Sequence, residues 1–292
     1  MTHAGLPVLA ICTGQIIWGF SFLFIRTALQ YGDPNIMLAS RFILAFLLIN
    51  IPLLLKKERI DLKGKPLKPL LLFALMEPVY FFVESYAVLH TNATYAGVGL
   101  AVSPIFSIAL AAVLLKEYPS RRQLLFCTLP IVGVIIMTVS GSSLGVLTPS
   151  GLLWLAGLCM AASLKKTLNR MSSVNFTSFE RTYFIMLANA LTFPTMALVS
   201  SRGDLSAFAQ AWSHPQFSIS ILVLSVFCSM AANLLVNYAA GKMSVAKISS
   251  FGTITTVCSS FSGMIFLGEP FTPASIFGTI LIIVGIRMVM KS

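Results

Sequence analysis

The chain has 292 residues, of which 57% are hydrophobic and 10% are charged, whereas a soluble globular chain is about 25% charged. With a mean hydropathy of +0.89, there is too little polar surface to coat a water-soluble particle, which excludes a cytosolic enzyme, a secreted disulfide scaffold and a disordered protein. The net charge of +11 lies in short gaps between apolar runs, and that pattern is typical of membrane orientation rather than nucleic-acid binding.

In chain order, the sequence predicts a series of helices that cross a membrane. A transmembrane helix needs about 20 predominantly apolar residues. Ten such runs are found, at 7–30, 35–55, 69–90, 95–115, 122–141, 150–169, 177–200, 217–240, 245–267 and 272–290. A transmembrane β-barrel would instead show alternating segments of about ten residues. We therefore expect an all-α polytopic membrane protein with ten transmembrane helices.

The basic residues predict the orientation of these helices. If the amino terminus is cytoplasmic, most of them fall in inner loops or the inner tail, namely Lys56, Lys57, Arg59, Lys63, Lys65, Lys68, Lys116, Arg121, Arg122, Lys165, Lys166, Arg170, Lys242, Lys247, Arg287 and Lys291. The positive-inside rule therefore predicts a multi-pass protein of the inner, cytoplasmic membrane with both termini in the cytoplasm.

The second half of the chain resembles the first. A shift of 152 residues aligns Glu117 with Glu269, each close to a proline, and Tyr86-Ala87 with Tyr238-Ala239. We expect two repeats, 1–145 and 146–292, with five spans each. Because five is odd, the repeats would enter the membrane in opposite directions, which is a transporter architecture with a site near the midplane.

These motifs resemble the drug/metabolite transporter superfamily, in its EamA branch. The residues that carry the resemblance are Trp18-Gly19-Phe20-Ser21, Arg41, Leu115-Lys116-Glu117-Tyr118-Pro119 and Leu267-Gly268-Glu269-Pro270-Phe271-Thr272. The resemblance implies a ten-helix secondary carrier with a pathway lined by spans 1, 3, 4, 6, 8 and 9. It also implies transport of small metabolites, often amino acids or amphiphilic drugs, commonly outward.

Polar residues inside the apolar runs are the candidate functional residues. In span three, Glu77 and Glu84 lie seven residues apart on one helix face, with Tyr80 between them. An ionised side chain at mid-membrane costs roughly 2.5–3.5 kcal/mol. In one interpretation Glu77 and Glu84 line a cavity as coupling or gating groups, and Glu84 with Tyr80 also binds a cationic or amino group of the substrate. In the alternative, one of the carboxylates pairs with Arg41 to orient helices.

The other candidates for substrate binding come from spans one, four, eight and nine. Gln15, Trp18 and Phe22 share a face of span one, and Asn233 and Asn237 form a stripe beside Tyr238 in span eight. Ser103 in span four corresponds in position to Thr253 and Thr256 in span nine. We expect the stripes of spans three and eight to face each other across a cavity, with helix packing as the alternative for each residue.

Three further groups are predicted at helix ends. Glu117 and Glu269 are interpreted as gating or capping residues beside a proline, and Glu180 and Arg181 as an interfacial ion pair. The scattered cysteines and histidines predict no metal site, and no cofactor is expected.

The sequence contains no Walker A or HExxH motif, so neither ATP-driven pumping by this chain nor zinc-dependent hydrolysis is expected. The prediction is a non-enzymatic secondary transporter, an exporter of small organic metabolites, with the lipid bilayer and a small-molecule substrate as partners, no nucleic acid, and a homodimer left open. An uptake carrier, a channel, and a non-transporting receptor or assembly subunit are the alternatives.

Overall fold

The computed structural model describes residues 5–90, 93–140, 148–267 and 273–291, which form helices and connecting turns without a strand. The helices are α1 (Gly5–Ala28), α2 (Pro34–Leu54), α3 (Leu67–His90), α4 (Ala93–Leu115), α5 (Arg121–Ser140), α6 (Pro149–Ser172), α7 (Ser178–Ser200), α8 (Ser206–Trp212), α9 (Pro215–Val223), a π-helical segment (Leu224–Ala231), α10 (Ala232–Ala240), α11 (Val245–Phe251), α12 (Thr253–Leu267) and α13 (Pro273–Lys291). Each predicted apolar run therefore coincides with helix, and the eighth and ninth runs are interrupted.

Among the described residues, five helical stretches are long and apolar enough, by length and composition, to cross a membrane. They are Gly5–Ile25, Pro34–Leu54, Pro149–Ser172, Ser178–Ser200 and Pro215–Ala240. Large apolar side chains cover the outside of the bundle, as Leu54, Val113 and Leu153 show with about three quarters of their surface exposed. Lipid tails rather than water suit such a surface.

Local sequence chemistry fixes where the helices begin. The Asp33 side chain accepts a hydrogen bond from the Asn35 amide, and Pro34 occupies the first turn of α2. Thr148 and Pro149 repeat this arrangement at α6. These side chains satisfy amide groups that a helix start would otherwise leave unpaired.

The packing of the helices is reciprocal between the two halves of the chain. Helix α1 packs against α9, α10 and α12 of the second half, and α6 packs against α3 and α4 of the first half. In the same way, α2 packs against α7 and α5 against α13. Such an exchange of partners fits a structure built from two related repeats, in which helix pairs from both halves form the interior.

Small residues allow the closest of these contacts. A methyl group placed on Gly19 of α1 would lie 2.3 Å from Cβ of Cys258 in α12, and one placed on Gly285 of α13 would lie 2.3 Å from Cδ of Pro130 in α5. Close backbone approach through glycine is a common way to associate helices in a membrane.

Candidate functional site

A charged cluster lies between α3 and α6. Nζ of Lys165 is 2.9 Å from Oε2 of Glu77, and the Glu77 side chain is only 4% exposed. The same ammonium group lies 4.3 Å from the ring centroid of Tyr80, and the Tyr80 hydroxyl donates a 2.7 Å hydrogen bond to Oε1 of Glu84. The structure thus brings Glu77, Tyr80 and Glu84 together, as their spacing predicts, and adds Lys165.

Arg41 is buried beside this cluster, but its observed hydrogen bond goes elsewhere. Its Nε donates to the Ser229 hydroxyl at 2.7 Å, and the Ser225 hydroxyl donates to the Arg41 carbonyl at 2.8 Å. Both serines belong to the π-helical segment, so Arg41 fastens α2 to that segment. It still interacts electrostatically with Glu77 and Glu84, but the cation in contact with Glu77 is Lys165 and not, as one alternative held, Arg41.

The next residue of α6, Lys166, points to another helix. Its Nζ donates a 2.9 Å hydrogen bond to the hydroxyl of Ser103 in α4. The Ser103 carbonyl accepts hydrogen bonds from the hydroxyls of Ser107 and Ser163, each at 2.9 Å. Ser103, a predicted substrate contact, therefore lies in a polar patch between α4 and α6.

Neither lysine was predicted as a site residue, because the prediction of orientation counted Lys165 and Lys166 with the inner loops although the predicted run 150–169 contains them. In the structure α6 continues to Ser172, so both residues lie inside the helix. The signal was available, since two cations within an apolar run are costly unless they have partners.

The described contacts of Gln15 and Trp18 in α1 are with neutral groups. Trp18 Nε1 donates to the Cys228 carbonyl of the π-helical segment at 2.8 Å, and the Thr255 hydroxyl donates to Oε1 of Gln15 at 2.6 Å. Thr253, the first residue of α12, donates to the Ser250 carbonyl of α11. Gln15 and Trp18 thus link α1 to helices of the second half. In the same way, Lys165 links α6 to α3 of the first half.

The stripe predicted in span eight is hydrogen-bonded to protein groups in this structure. Asn237 is 1% exposed; its Nδ2 donates to the Thr182 hydroxyl at 2.9 Å, and its Oδ1 accepts from Asn169 at 2.8 Å. Asn233 donates to the Ser229 carbonyl, one turn earlier, at 2.7 Å. These contacts favour helix packing, the alternative given for each residue, over a cavity wall that faces span three.

Tyr238, also predicted as a substrate contact, is 36% exposed on α10, beside the buried Asn237. Its role as a substrate contact stays a prediction.

A polar latch joins helices at the end of the bundle where α4 and α6 finish and α7 and α11 begin, named the inner end because the predicted orientation places it at the cytoplasm. The carboxylate of Glu117 accepts from Arg170 Nε at 2.8 Å and from the Val245 amide at 3.1 Å. Arg170 also donates to the carbonyls of Ala240 and Gly241. Glu117 from the first half thus ties together α6, α10 and α11 of the second half, and its carboxylate caps α11.

The expected ion pair between Glu180 and Arg181 is replaced by two other contacts. Lys65 lies 3.0 Å from Oε1 of Glu180, and Glu180 completes a capping box with Thr177. Arg181 donates instead to Asn169 and to the Asn237 carbonyl. Helical geometry explains the correction, because consecutive residues point in directions about 100° apart and do not face each other.

A recess of about 360 Å³ opens between α3 and α6, lined by Val83, Ser150, Leu153, Trp154 and Gly157. The ring of Trp154 lies 4.9 Å from Tyr86 and 5.7 Å from His90, measured between centroids. Val83, Trp154 and Tyr80 pack in one apolar cluster, so the recess is adjacent to the charged cluster. Of the remaining predicted residues, Glu269 and the side chains of Phe22 and Thr256 lie outside the described part of the chain.

A helical bundle with apolar outer surfaces, reciprocal packing of its halves and charged side chains in its interior is a membrane transporter of the repeat type. The chain belongs to the EamA-like transporter family, which matches it twice, over residues 5–139 and over residues 149–291.

Proteins similar in sequence to this chain are also named as transporters. An uncharacterized transporter of Bacillus subtilis (strain 168), YcxC, is 28% identical over 276 residues, covering 93% of this chain and 88% of the relative. An S-adenosylmethionine/S-adenosylhomocysteine transporter of Chlamydia trachomatis is 22% identical, covering 97% of this chain and 89% of the relative. A solved crystal structure with 14% sequence identity superimposes with a TM-score of 0.82 over 98% of this chain and 96% of its own, which shows a shared fold.

Proposed function

We propose that this protein is a secondary transporter that moves a small organic metabolite by alternating access, with the substrate bound at the charged cluster between α3 and α6. In this proposal ten spans, five in each of the repeats 1–145 and 146–292, cross the cytoplasmic membrane as an inverted pair, with both termini inside. The observation that carries it is the Lys165–Glu77 ion pair, with Tyr80 and Glu84 beside it, inside a bundle whose outer surface is apolar.

The energetics of the cluster favour exchange of partners. Charges at membrane depth are costly, so Lys165 and Glu77 stabilise each other while no substrate is bound. In this proposal the amine of a zwitterionic substrate replaces Lys165 at the carboxylates, and the anionic group of the same substrate pairs with the released lysine. Because the substrate supplies both charges, it binds without leaving a buried charge unpaired.

The adjacent recess suits the less polar part of such a substrate. Its lining is mostly apolar and includes the aromatic ring of Trp154. Binding sites for small molecules combine apolar walls with a few placed polar groups, and the recess and the charged cluster supply these two parts side by side.

The latch at Glu117 supports alternating access. It joins the two halves at the inner end. In the proposed orientation this end faces the cytoplasm, so the latch closes the transporter on that side. Rocking of the halves would have to break the contacts of Glu117 with Arg170 and Val245. Outward transport is the direction that the family resemblance suggests, and we propose it here with a proton or substrate gradient as the driving force.

The relatives suggest which compounds to test first. The Chlamydia relative is named for S-adenosylmethionine and S-adenosylhomocysteine. Both compounds carry an amino-acid group, whose ammonium and carboxylate match the cluster, and an adenine ring, which matches an aromatic-lined recess.

The purified protein should be screened by thermal shift and by uptake into proteoliposomes, with amino acids, nucleosides, both S-adenosyl compounds and tetraphenylphosphonium. A bound substrate raises the melting temperature, because it binds the folded state alone. We expect one class of compound both to stabilise the protein and to enter liposomes in a saturable manner. Absence of saturable uptake for every compound would contradict a carrier of these metabolites.

A further inference from the structure

Lys166 differs from the other two cations near the site in its partners. Arg41 has a serine hydroxyl and favourable interactions with two carboxylates, and Lys165 has Glu77. Among the described residues, the hydrogen-bond partner of Lys166 is the neutral Ser103 hydroxyl, and no described carboxylate lies within ion-pair distance of its Nζ. Eight of the nine acidic residues belong to the described part of the chain, Glu269 being the exception.

The charges therefore do not balance around α6. Arg41, Lys165 and Lys166 are cations, whereas Glu77 and Glu84 are the anions of the same region. Lys166 is the member of this set whose hydrogen-bond partner is a neutral hydroxyl, within an apolar bundle where an uncompensated cation is unfavourable. An anionic group of a ligand placed beside Lys166 would supply the missing counter-charge.

The direction of the Lys166 side chain separates it from the first ion pair. Lys165 and Lys166 are consecutive, so they diverge by about 100° around α6. Lys165 contacts α3, whereas Lys166 contacts Ser103 of α4. The two lysines therefore serve different neighbours, and Lys166 can accept a ligand group while Lys165 remains with Glu77.

We propose that Lys166 and Ser103 form a carboxylate subsite, so that the transported metabolite carries a carboxylate, as an amino acid does, and is not a simple organic cation. This proposal rests on the proposed function, because it names the substrate class of the same site. Lys166 supplies an ammonium donor, and the Ser103 hydroxyl supplies a second donor once the ligand replaces it as the acceptor for Lys166.

The two donors at this position favour a carboxylate over a phosphate. A phosphate monoester carries about two negative charges at neutral pH and three acceptor oxygens, more than one ammonium group and one hydroxyl match. A carboxylate carries one charge and two acceptor oxygens, which match one ammonium group and one hydroxyl.

The first test needs no ligand and compares stability. Lys166→Met removes a cation that has no anionic partner among the described residues, so we expect the empty variant to melt at a higher temperature than the wild type. Lys165→Met, which leaves Glu77 unpaired, should melt at a lower temperature. If Lys166→Met also lowers the melting temperature, Lys166 has a structural partner and the subsite is overturned.

The second test compares matched compounds in proteoliposome exchange. S-adenosylhomocysteine has a carboxylate, 5′-methylthioadenosine lacks the whole amino-acid group, adenosine monophosphate carries a phosphate, and L-methionine is compared with L-methioninol, which lacks only the carboxylate. We expect the wild type to prefer the carboxylates by at least about tenfold, and Lys166→Met to lose that preference, because a hydrogen bond to a charged group contributes on that scale. Lys166→Arg should retain part of it, Ser103→Ala should weaken it, and the exposed control Lys242→Met should leave it unchanged.

The outcomes separate the two proposals. If the wild type exchanges these compounds and Lys166→Met exchanges them with the same preference, the subsite is overturned and the proposed function stands. Preference of the wild type for methioninol, tetraphenylphosphonium or adenosine monophosphate would overturn the subsite as well. If the wild type exchanges none of the panel, both proposals are overturned together.

Discussion

Lys165 should contribute both to the stability of the protein and to transport. Its ammonium group is paired with a Glu77 side chain that is almost fully buried, and removing one partner of such a pair leaves a charge without compensation, at a cost of about 3–5 kcal/mol. We expect Lys165→Met to lower the melting temperature and to reduce substrate exchange at least tenfold.

The double variant Lys165→Met/Glu77→Met provides the control for that prediction. It removes both charges, so stability should recover, whereas transport should not, because the substrate loses both of its exchange partners. Thermal unfolding and proteoliposome exchange measure the two effects separately. Recovery of transport in the double variant would show that the pair only holds helices together.

Asn237 should behave as a packing residue. Its side-chain amide bonds Thr182 and Asn169 in a buried network that also contains Arg181, and loss of a buried hydrogen-bonding partner costs about 1–3 kcal/mol. We expect Asn237→Ala to lower the melting temperature with little change in apparent substrate affinity. The exposed Asn175→Ala is the matched control; a selective change in affinity would return Asn237 to the substrate site.

At the scale of helices, we expect the latch at the inner end to control how often that end opens. Glu117 binds Arg170 and the Val245 amide, beside a small cavity of about 40 Å³ lined by Ala246. Glu117→Gln weakens the charge-assisted bond to Arg170, so the inner end should open more often.

A single cysteine in place of Ala246, in a variant without the other cysteines, reports that opening. Adding Glu117→Gln should make a membrane-impermeant maleimide react several-fold faster from the cytoplasmic side. Glu58→Gln, at an exposed loop position, is the control. Equal labelling rates with and without the Glu117 change would mean that the latch is not a gate.

The positions of the helices could be predicted from the sequence, whereas their interruptions and partners could not. Continuous apolar runs require helices because lipid cannot satisfy backbone groups. The π-helical segment has no such local signal, since it is stabilised by Arg41, which lies 188 residues from Ser229 in the sequence.

The candidate site shows the same limit. Spacing along α3 placed Glu77, Tyr80 and Glu84 on one face, but the identity of their partner depends on how α6 packs against α3. Asn233 and Asn237 formed an equally regular stripe and proved to be enclosed by neighbouring helices. Periodicity identifies a shared face of one helix, and tertiary packing decides what that face meets.

At the scale of the whole molecule, the excess of basic residues in the connections at one end predicts a single orientation. We expect fluorescent-protein fusions at Met1 and at Ser292 both to be active, since this reporter folds in the cytoplasm, and alkaline phosphatase fusions at the same positions to be inactive. A fusion at Asp204, between α7 and α8, should give the opposite pattern. An external carboxyl terminus would be incompatible with ten spans.

Alternating access requires a substrate site that is reached from each side of the membrane in turn. Counterflow measures this directly: proteoliposomes are loaded with an unlabelled compound from the screen, and entry of the same labelled compound is followed over time. The account predicts that internal substrate accelerates entry for the wild type and that this acceleration is lost in Lys165→Met. Entry that neither saturates nor responds to internal substrate would indicate a channel and would contradict the account.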